Sequence, residues 1–243
     1  MPQFGDSIFL GAAQTGIVGA NDNPGGTGVG PMGRVYLFDI LPLTLQAAGL
    51  AALQTLGAAG NFTLAAGTGV TAVTLPNGTT GYKLDTPRCV SFTSTGDISA
   101  VTMTVTGYDV YGQPMTAARA GPNNNTVATT KAFSIITQVA ASAAVATNTS
   151  VGFNDKFGLP FRVTDVAYVL SCKWAQTLAA DAGTFVAADT TSPATASTTD
   201  VRGCYTPSSA SDGVKRLVME LGLPAIASGA DATRVGALGV TQV

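Results

Sequence analysis

The sequence predicts an all-β protein, and three observations carry that expectation. Residues 99–106 alternate strictly: Val101, Met103 and Val105 fall on one parity and Thr102, Thr104 and Thr106 on the other, the period of a half-buried strand. Turn-forming clusters such as Pro76-Asn77-Gly78, GYDVYGQP (107–114) and GPNNN (121–125) separate short apolar runs. Their spacing of roughly 8–12 residues is that of a sandwich or closed barrel and not of alternating strands and helices. Thirteen of the fourteen acids are Asp and Glu220 is the single Glu, so the residue that usually lines exposed helix faces is nearly missing. The expected architecture is a β-sandwich or jelly-roll-like body over residues 35–224. An extended N-terminal arm (1–34) precedes it and a C-terminal tail (225–243) follows, with 35–75 a candidate small module of its own.

Along the chain, residues 1–34 contain NDNPGGTGVGPMG, too rich in Gly, Asn and Pro to pack a helix or a central strand. Residues 34–40 (RVYLFDI) read as a strand from their branched and aromatic content. Residues 43–56 include LQAAGLAALQTL, in which helix-favouring Leu and Ala are punctuated by Gly49 and Gly57. The expectation there is a short helix or a loop. Strands are expected at 61–65, 70–75, 99–106, 115–120, 131–139, 144–151, 161–172, 183–187 and 214–221. Residues 190–199 (TTSPATASTT) are polar and of low complexity, hence an exposed loop.

Charged residues make up 11% of the chain, well under the roughly 25% of an average soluble domain. A surface of Thr, Ser, Ala, Asn and Gly suits burial against neighbouring subunits. The net charge of -2 supplies no basic stripe, which argues against direct nucleic-acid binding. Cys89, Cys172 and Cys204 are odd in number and lack metal spacing, so they read as small buried hydrophobes. The opening MPQFGDSIFLGAAQTG lacks the features of a signal peptide, and no run reaches the ~20 apolar residues of a membrane span. The expected product is soluble and made in a cytoplasm.

Candidate chemistry is sparse. The chain has no histidine, which removes Ser-His-Asp and Cys-His arrangements and a leading metal ligand. Gly28-Val29-Gly30-Pro31-Met32-Gly33 satisfies G-x-G-x-x-G, but the dinucleotide mechanism needs a strand before it and a helix after it. Here a loop precedes it and a strand follows. Asp97, Asp109 and Asp155 are turn aspartates for which calcium stays open, although no ordered alternation of oxygen ligands makes it a positive expectation. No catalytic, cofactor-binding or metal-binding residue is assigned. Partner binding is assigned to the apolar part of the arm, Phe4, Ile8, Phe9 and Leu10, and to the single tryptophan, Trp174, as a core or inter-subunit anchor.

Pro87 to Pro122 reads PRCVSFTSTGDISAVTMTVTGYDVYGQPMTAARAGP, followed by NNNTVATTKAFSIITQV. This resembles a group of tailed-bacteriophage virion proteins with a PR-x-V strand, a T-x-T-x-x-G-x-D-x-x-G hairpin and a closing GP turn. GNFTLAAGTGV (60–70) and VGFNDKFGLPFRV (151–163) fit the same group, so the likeness covers about residues 60–220. Where the family pattern carries a Thr-Glu-Thr-like element, this chain has Met115-Thr116-Ala117-Ala118-Arg119, which weakens assignment to a subgroup. The resemblance implies a structural virion protein without catalytic residues. Major capsid, portal and scaffold proteins need long charged helices for which this chain lacks material. A head decoration or cement protein fits better: head-exterior, homo-oligomeric with a trimer favoured, and bound to the major capsid protein. The alternatives are a neck, tail or fibre subunit and, from another class, a carbohydrate-binding adhesin domain. A hydrolase with paired aspartates ranks last.

Overall fold

The computed structural model describes residues 32–189 and 200–224. The 190–199 loop, the 225–243 tail and the arm up to residue 31 lie outside the described residues. Strand β1 (Met32–Ile40) begins inside the stretch assigned to the arm. The fold is all-β, and among the described residues the one helical element is a 3-10 turn at Val166–Tyr168. No helix among them is long and apolar enough to cross a membrane.

Three long strands organise the body: β5 (Thr80–Ser94), β8 (Thr126–Ala141) and β9 (Val145–Gly158). Each is too long to keep one neighbour along a twisted sheet, so each changes partner partway. β5 pairs with β8 on one side. On its other side it pairs with β4 (Val70–Thr74) through residue 84 and with β9 from residue 88 onward. The change falls at Pro87, which cannot donate to a ladder, and the β5–β8 register shifts between Lys83 and Arg88. β9 pairs with β2 (Gln46–Leu56) over residues 145–153 and with β12 (Cys204–Thr206) at 157–158. β6 (Thr102–Tyr108) and β7 (Pro114–Ala120) form the hairpin that extends the sheet beyond β8. With β3 (Gly60–Asn61) and β11 (Thr184–Val186) the result is a curled ten-stranded antiparallel sheet. A second sheet has the order β1-β13-β10, with β10 at Val169–Trp174 and β13 at Leu217–Pro224.

Two apolar cores follow from this layout. The curled sheet encloses the first, which includes Leu50, Phe92, Met103, Phe133, Val151 and Phe153. The second lies between the sheets, where Trp174, Leu217, Met219 and Leu221 of the small sheet meet Phe157 and Tyr205 of the large one. Register fixes the face: Tyr36, Phe38 and Ile40 of β1 stand opposite Leu221, Met219 and Leu217, while Val35, Leu37 and Asp39 belong to the outer face.

Several elements depart from the sequence expectations. Residues 46–56 form a strand and not a helix or loop. Small residues decide this, because β2 lies so close to β9 that a Cβ on Gly152 would meet Gln46 O at 1.8 Å, and one on Gly49 would meet the Phe153 ring at 2.8 Å. Close packing on β9 overrides the local helix preference of Ala and Leu. The candidate module at 35–75 has no sheet of its own, since β1 pairs with β13, β2 with β9, β3 with β8 and β4 with β5. The strand expected at 161–172 begins only at Val169; before it Asp165 accepts a hydrogen bond from the Ala167 amide at 2.8 Å and starts the 3-10 turn. The strand expected at 61–65 is confined to Gly60–Asn61.

Gly152→Ala is expected to lower the unfolding free energy by about 3 kcal/mol through overpacking. Chemical denaturation measures the loss, and hydrogen exchange should show it first as lost protection at Leu50 and Ala51.

Candidate interaction surface

In a chain so poor in charge, the inside holds a large share of it: Arg88, Lys131, Arg162, Arg202, Asp109, Asp155, Asp189 and Asp200 are all buried. Arg88 is fully enclosed. Its Nη2 donates to Asp85 Oδ2 at 2.5 Å and to the Leu43 carbonyl at 2.7 Å, and its Nη1 donates to Asp155 Oδ1 at 3.2 Å. The guanidinium carbon lies 5.0 Å from the Phe153 ring centroid and 4.9 Å from that of Phe157. Desolvation pulls its pKa below the ordinary arginine value, opposed chiefly by Asp85. Asp155 also accepts from the Ser211 amide at 2.8 Å, and Ser211 Oγ lies within 2.6 Å of Asp155 Oδ1 and 2.8 Å of the Leu43 carbonyl. The cluster resembles catalytic machinery only in composition. Ser211 is 3% exposed.

A second cluster ties the β6–β7 hairpin to the region of β12. Arg202 Nη2 donates to Asp109 Oδ2 at 2.6 Å, with its guanidinium carbon 5.0 Å from the Tyr111 ring centroid. Asp109 Oδ1 accepts the Tyr111 and Gln113 amides, and the Tyr111 hydroxyl donates to the Pro160 carbonyl. Burial raises the Tyr111 pKa. In a third, Lys131 lies near Asp200 and Asp189, with its pKa lowered by desolvation against the pull of both acids. Asp109 and Asp155 therefore commit their carboxylates to guanidinium groups, and Asp97 caps Ser99. Among the described residues no three Cys, Asp or Glu cluster to hold a metal.

The Arg88 cluster also shapes the surface. Leu43 is gripped at both backbone groups, its amide donating to Asp85 Oδ2 at 2.7 Å and its carbonyl accepting from Arg88. This pins the strap at 41–45 (LPLTL) so that Leu41, Leu43 and Leu45 remain 54%, 42% and 38% exposed. Beside them in sequence, the outward face of β1 presents Val35 and Leu37, and β2 presents Leu53. Most of the large apolar side chains exposed among the described residues fall within residues 35–53. The charge of Asp39 on β1 is paired with Arg216, whose Nη2 lies 2.6 Å away and which holds the Asp39 carboxyl below its ordinary pKa.

Of the residues assigned to partners from sequence, Phe4, Ile8, Phe9 and Leu10 lie outside the described residues. Of the two roles expected for Trp174, core or inter-subunit anchor, the structure shows the core one: it is 2% exposed in the second core, 6.4 Å from the Phe157 ring, with Nε1 donating to Ser209 Oγ at 3.0 Å. A side chain held this way offers nothing to a partner. The three cysteines are free; Cys89 and Cys204 are buried and Cys172 is partly so. The strap and Arg88 were missed, although the alternation of Leu41, Leu43 and Leu45 with Pro42 and Thr44 was visible. Neither a protein-family model, nor a curated protein, nor a solved structure matches this chain.

Arg88→Met strands two acids against the core and is expected to cost about 3–5 kcal/mol of stability, read from denaturant midpoints. Tyr205 supplies a pH test. Its hydroxyl donates to Asp181 Oδ2 at 2.7 Å, and desolvation, Cys172 and Asp181 raise its pKa well above the ordinary phenol value. The folded chain keeps this proton to higher pH than the unfolded chain, whose phenol titrates near ~10. The contribution is therefore complete below about pH 10 and is lost as pH rises through the folded value. Tyr205→Phe should flatten the decline of unfolding free energy above about pH 10.

Proposed function

We propose that this protein is a non-enzymatic structural subunit, and that its assembly is a phage virion in which it decorates and braces the head shell. The observation that carries the structural-subunit reading is the set of exposed apolar side chains on β1, the 41–45 strap and Leu53, on a β body that keeps many of its charges inside. A buried ionic scaffold holds the contact surface rigid, which lowers the ordering cost of association. The virion assignment rests on the resemblance of residues 60–220. The PR-x-V and hairpin motifs that carry it supply Arg88 and Asp109, and both are buried ion-pair partners. A standard stable contact buries ~1,600 Å², and several per subunit would brace a shell against internal pressure.

The copy number of the chain relative to the major capsid protein tests this reading, by quantitative mass spectrometry of purified particles and separated heads. Stoichiometric abundance with the head is expected. A few ring-sized sets lost with the tail would move the protein to the neck or tail, and absence from particles would remove the virion reading. A chain lacking residues 1–30 is expected to lose shell binding while its body stays folded; retained binding would exclude the arm from that contact.

A further inference from the structure

We infer that Cys89 and Cys204 are a thiol pair that closes to a disulfide when the protein meets a low-molecular-weight disulfide, stapling the β11–β12 ribbon to β5. The two residues are fully buried in a small cluster of their own with Ala132, and Ala128 packs against it. Strand pairing brings them there. Cys89 stands opposite Ala132 in the β5–β8 ladder, and Cys204 stands opposite Gly158 in the β12–β9 ladder. The curl of the sheet closes the gap between these pairs: a Cβ on Gly158 would lie 2.5 Å from Ala132 Cβ, and Cys204 Sγ is 4.0 Å from the Thr130 carbonyl. Glycine and alanine thus leave the space between the ladders to the two sulfurs, and their thiols share a hydrogen bond. Cys172 belongs elsewhere. Side chains alternate along β12, so Tyr205 turns into the second core and meets Cys172 there, while Cys204 turns the other way.

The surroundings also set how the bond forms. The Cys89 thiol and burial hold the Cys204 pKa well above its ordinary value, so in the closed fold Cys204 keeps its proton and does not react. Opening is local. β12 has three residues, with two partner positions on β9 and three on β11, whereas β5 runs for fifteen residues and pairs along its length. A short ribbon at the end of a sheet opens far more often than a long central strand. Opening delivers Cys204 to solvent, where its thiolate attacks one sulfur of the reagent, breaks that S–S bond and releases a small thiolate, which takes up the proton that Cys204 lost. As the ribbon returns, Cys89 gives its proton to solvent and attacks the Cys204 sulfur of the mixed disulfide, expelling the second small thiolate. Two protein thiols and one small disulfide thus become one protein disulfide and two small thiols. The bond closes the loop from 89 to 204 and fixes a ribbon that only short ladders hold.

The inference concerns the chain itself and does not depend on a virion role. The full chain is incubated with oxidised glutathione, in buffer and at denaturant concentrations below the unfolding midpoint. The remaining thiols are then alkylated and the digest is mapped without reduction. A peptide joining Cys89 to Cys204 is expected, with Cys172 alkylated, so that the free thiols of the denatured chain fall from three to one. The oxidised chain is expected to unfold at a midpoint higher by about 0.5 M guanidinium chloride, a gain that dithiothreitol reverses. Hydrogen exchange should slow at the amides of Cys204–Thr206. Cys204→Ala is expected to show neither the bond nor the gain, and Cys89→Ala repeats that control should the first variant fail to fold. Three free thiols retained, a bond that includes Cys172, or a midpoint that stays or falls on oxidation would each overturn the inference.

Discussion

The enclosed guanidinium of Arg88 is the constraint from which the rest of the structure follows. A cation removed from water is costly unless each of its groups finds a partner. Here its two terminal nitrogens meet Asp85, Asp155 and the Leu43 carbonyl and its faces meet Phe153 and Phe157, while Nε is buried without a hydrogen-bond partner. Phe153 belongs to the first core and Phe157 to the second, so the cation sits at the boundary of the two. It also lies where β5 changes neighbour after Pro87. A strand with an interrupted ladder gains from a side chain that ties the break to its surroundings, and Arg88 does this with segments far apart in sequence.

Burying charge in a chain with only 11% charged residues leaves little for the surface. The same residues that fix the interior therefore leave an outside of Thr, Ser, Ala and exposed leucine. The strap at 41–45 joins the two effects: its backbone is held by Asp85 and Arg88 while its leucines face outward. Rigid backbone under exposed apolar side chains suits a preformed contact, because little freedom is left to lose on association. Internal electrostatics and an outside poor in charge are thus two results of one placement of charge.

The all-β class was legible because it rests on local signals, the alternation at 99–106 and the near absence of Glu. The β6–β7 hairpin follows the sequence closely, since its register is set by the turn at 109–113 and by Met103, Val105, Met115 and Ala117 facing inward. β2 was not legible, because its strand character depends on Gly152 lying opposite it, one hundred residues away. Trp174 could be read from its size only as a core or inter-subunit anchor, because nothing local distinguishes a tryptophan inside a core from one at an interface. Arg88 stood within a recognised motif, but its burial requires Asp155 and Ser211, contacts that no short window contains. The rarity of charge was the one signal available: where few charges exist, each is a candidate for structural work.

The central claim is that the charge cluster at Arg88 makes the two cores one cooperative unit. Native-state hydrogen exchange tests it most directly, by comparing opening free energies for amides of β5 and β9 with those of β13. The account predicts equal values at the most protected sites in both regions, with a common dependence on denaturant. Distinctly lower protection in β13, with its own shallower denaturant dependence, would mean that the second core opens alone and would contradict the claim.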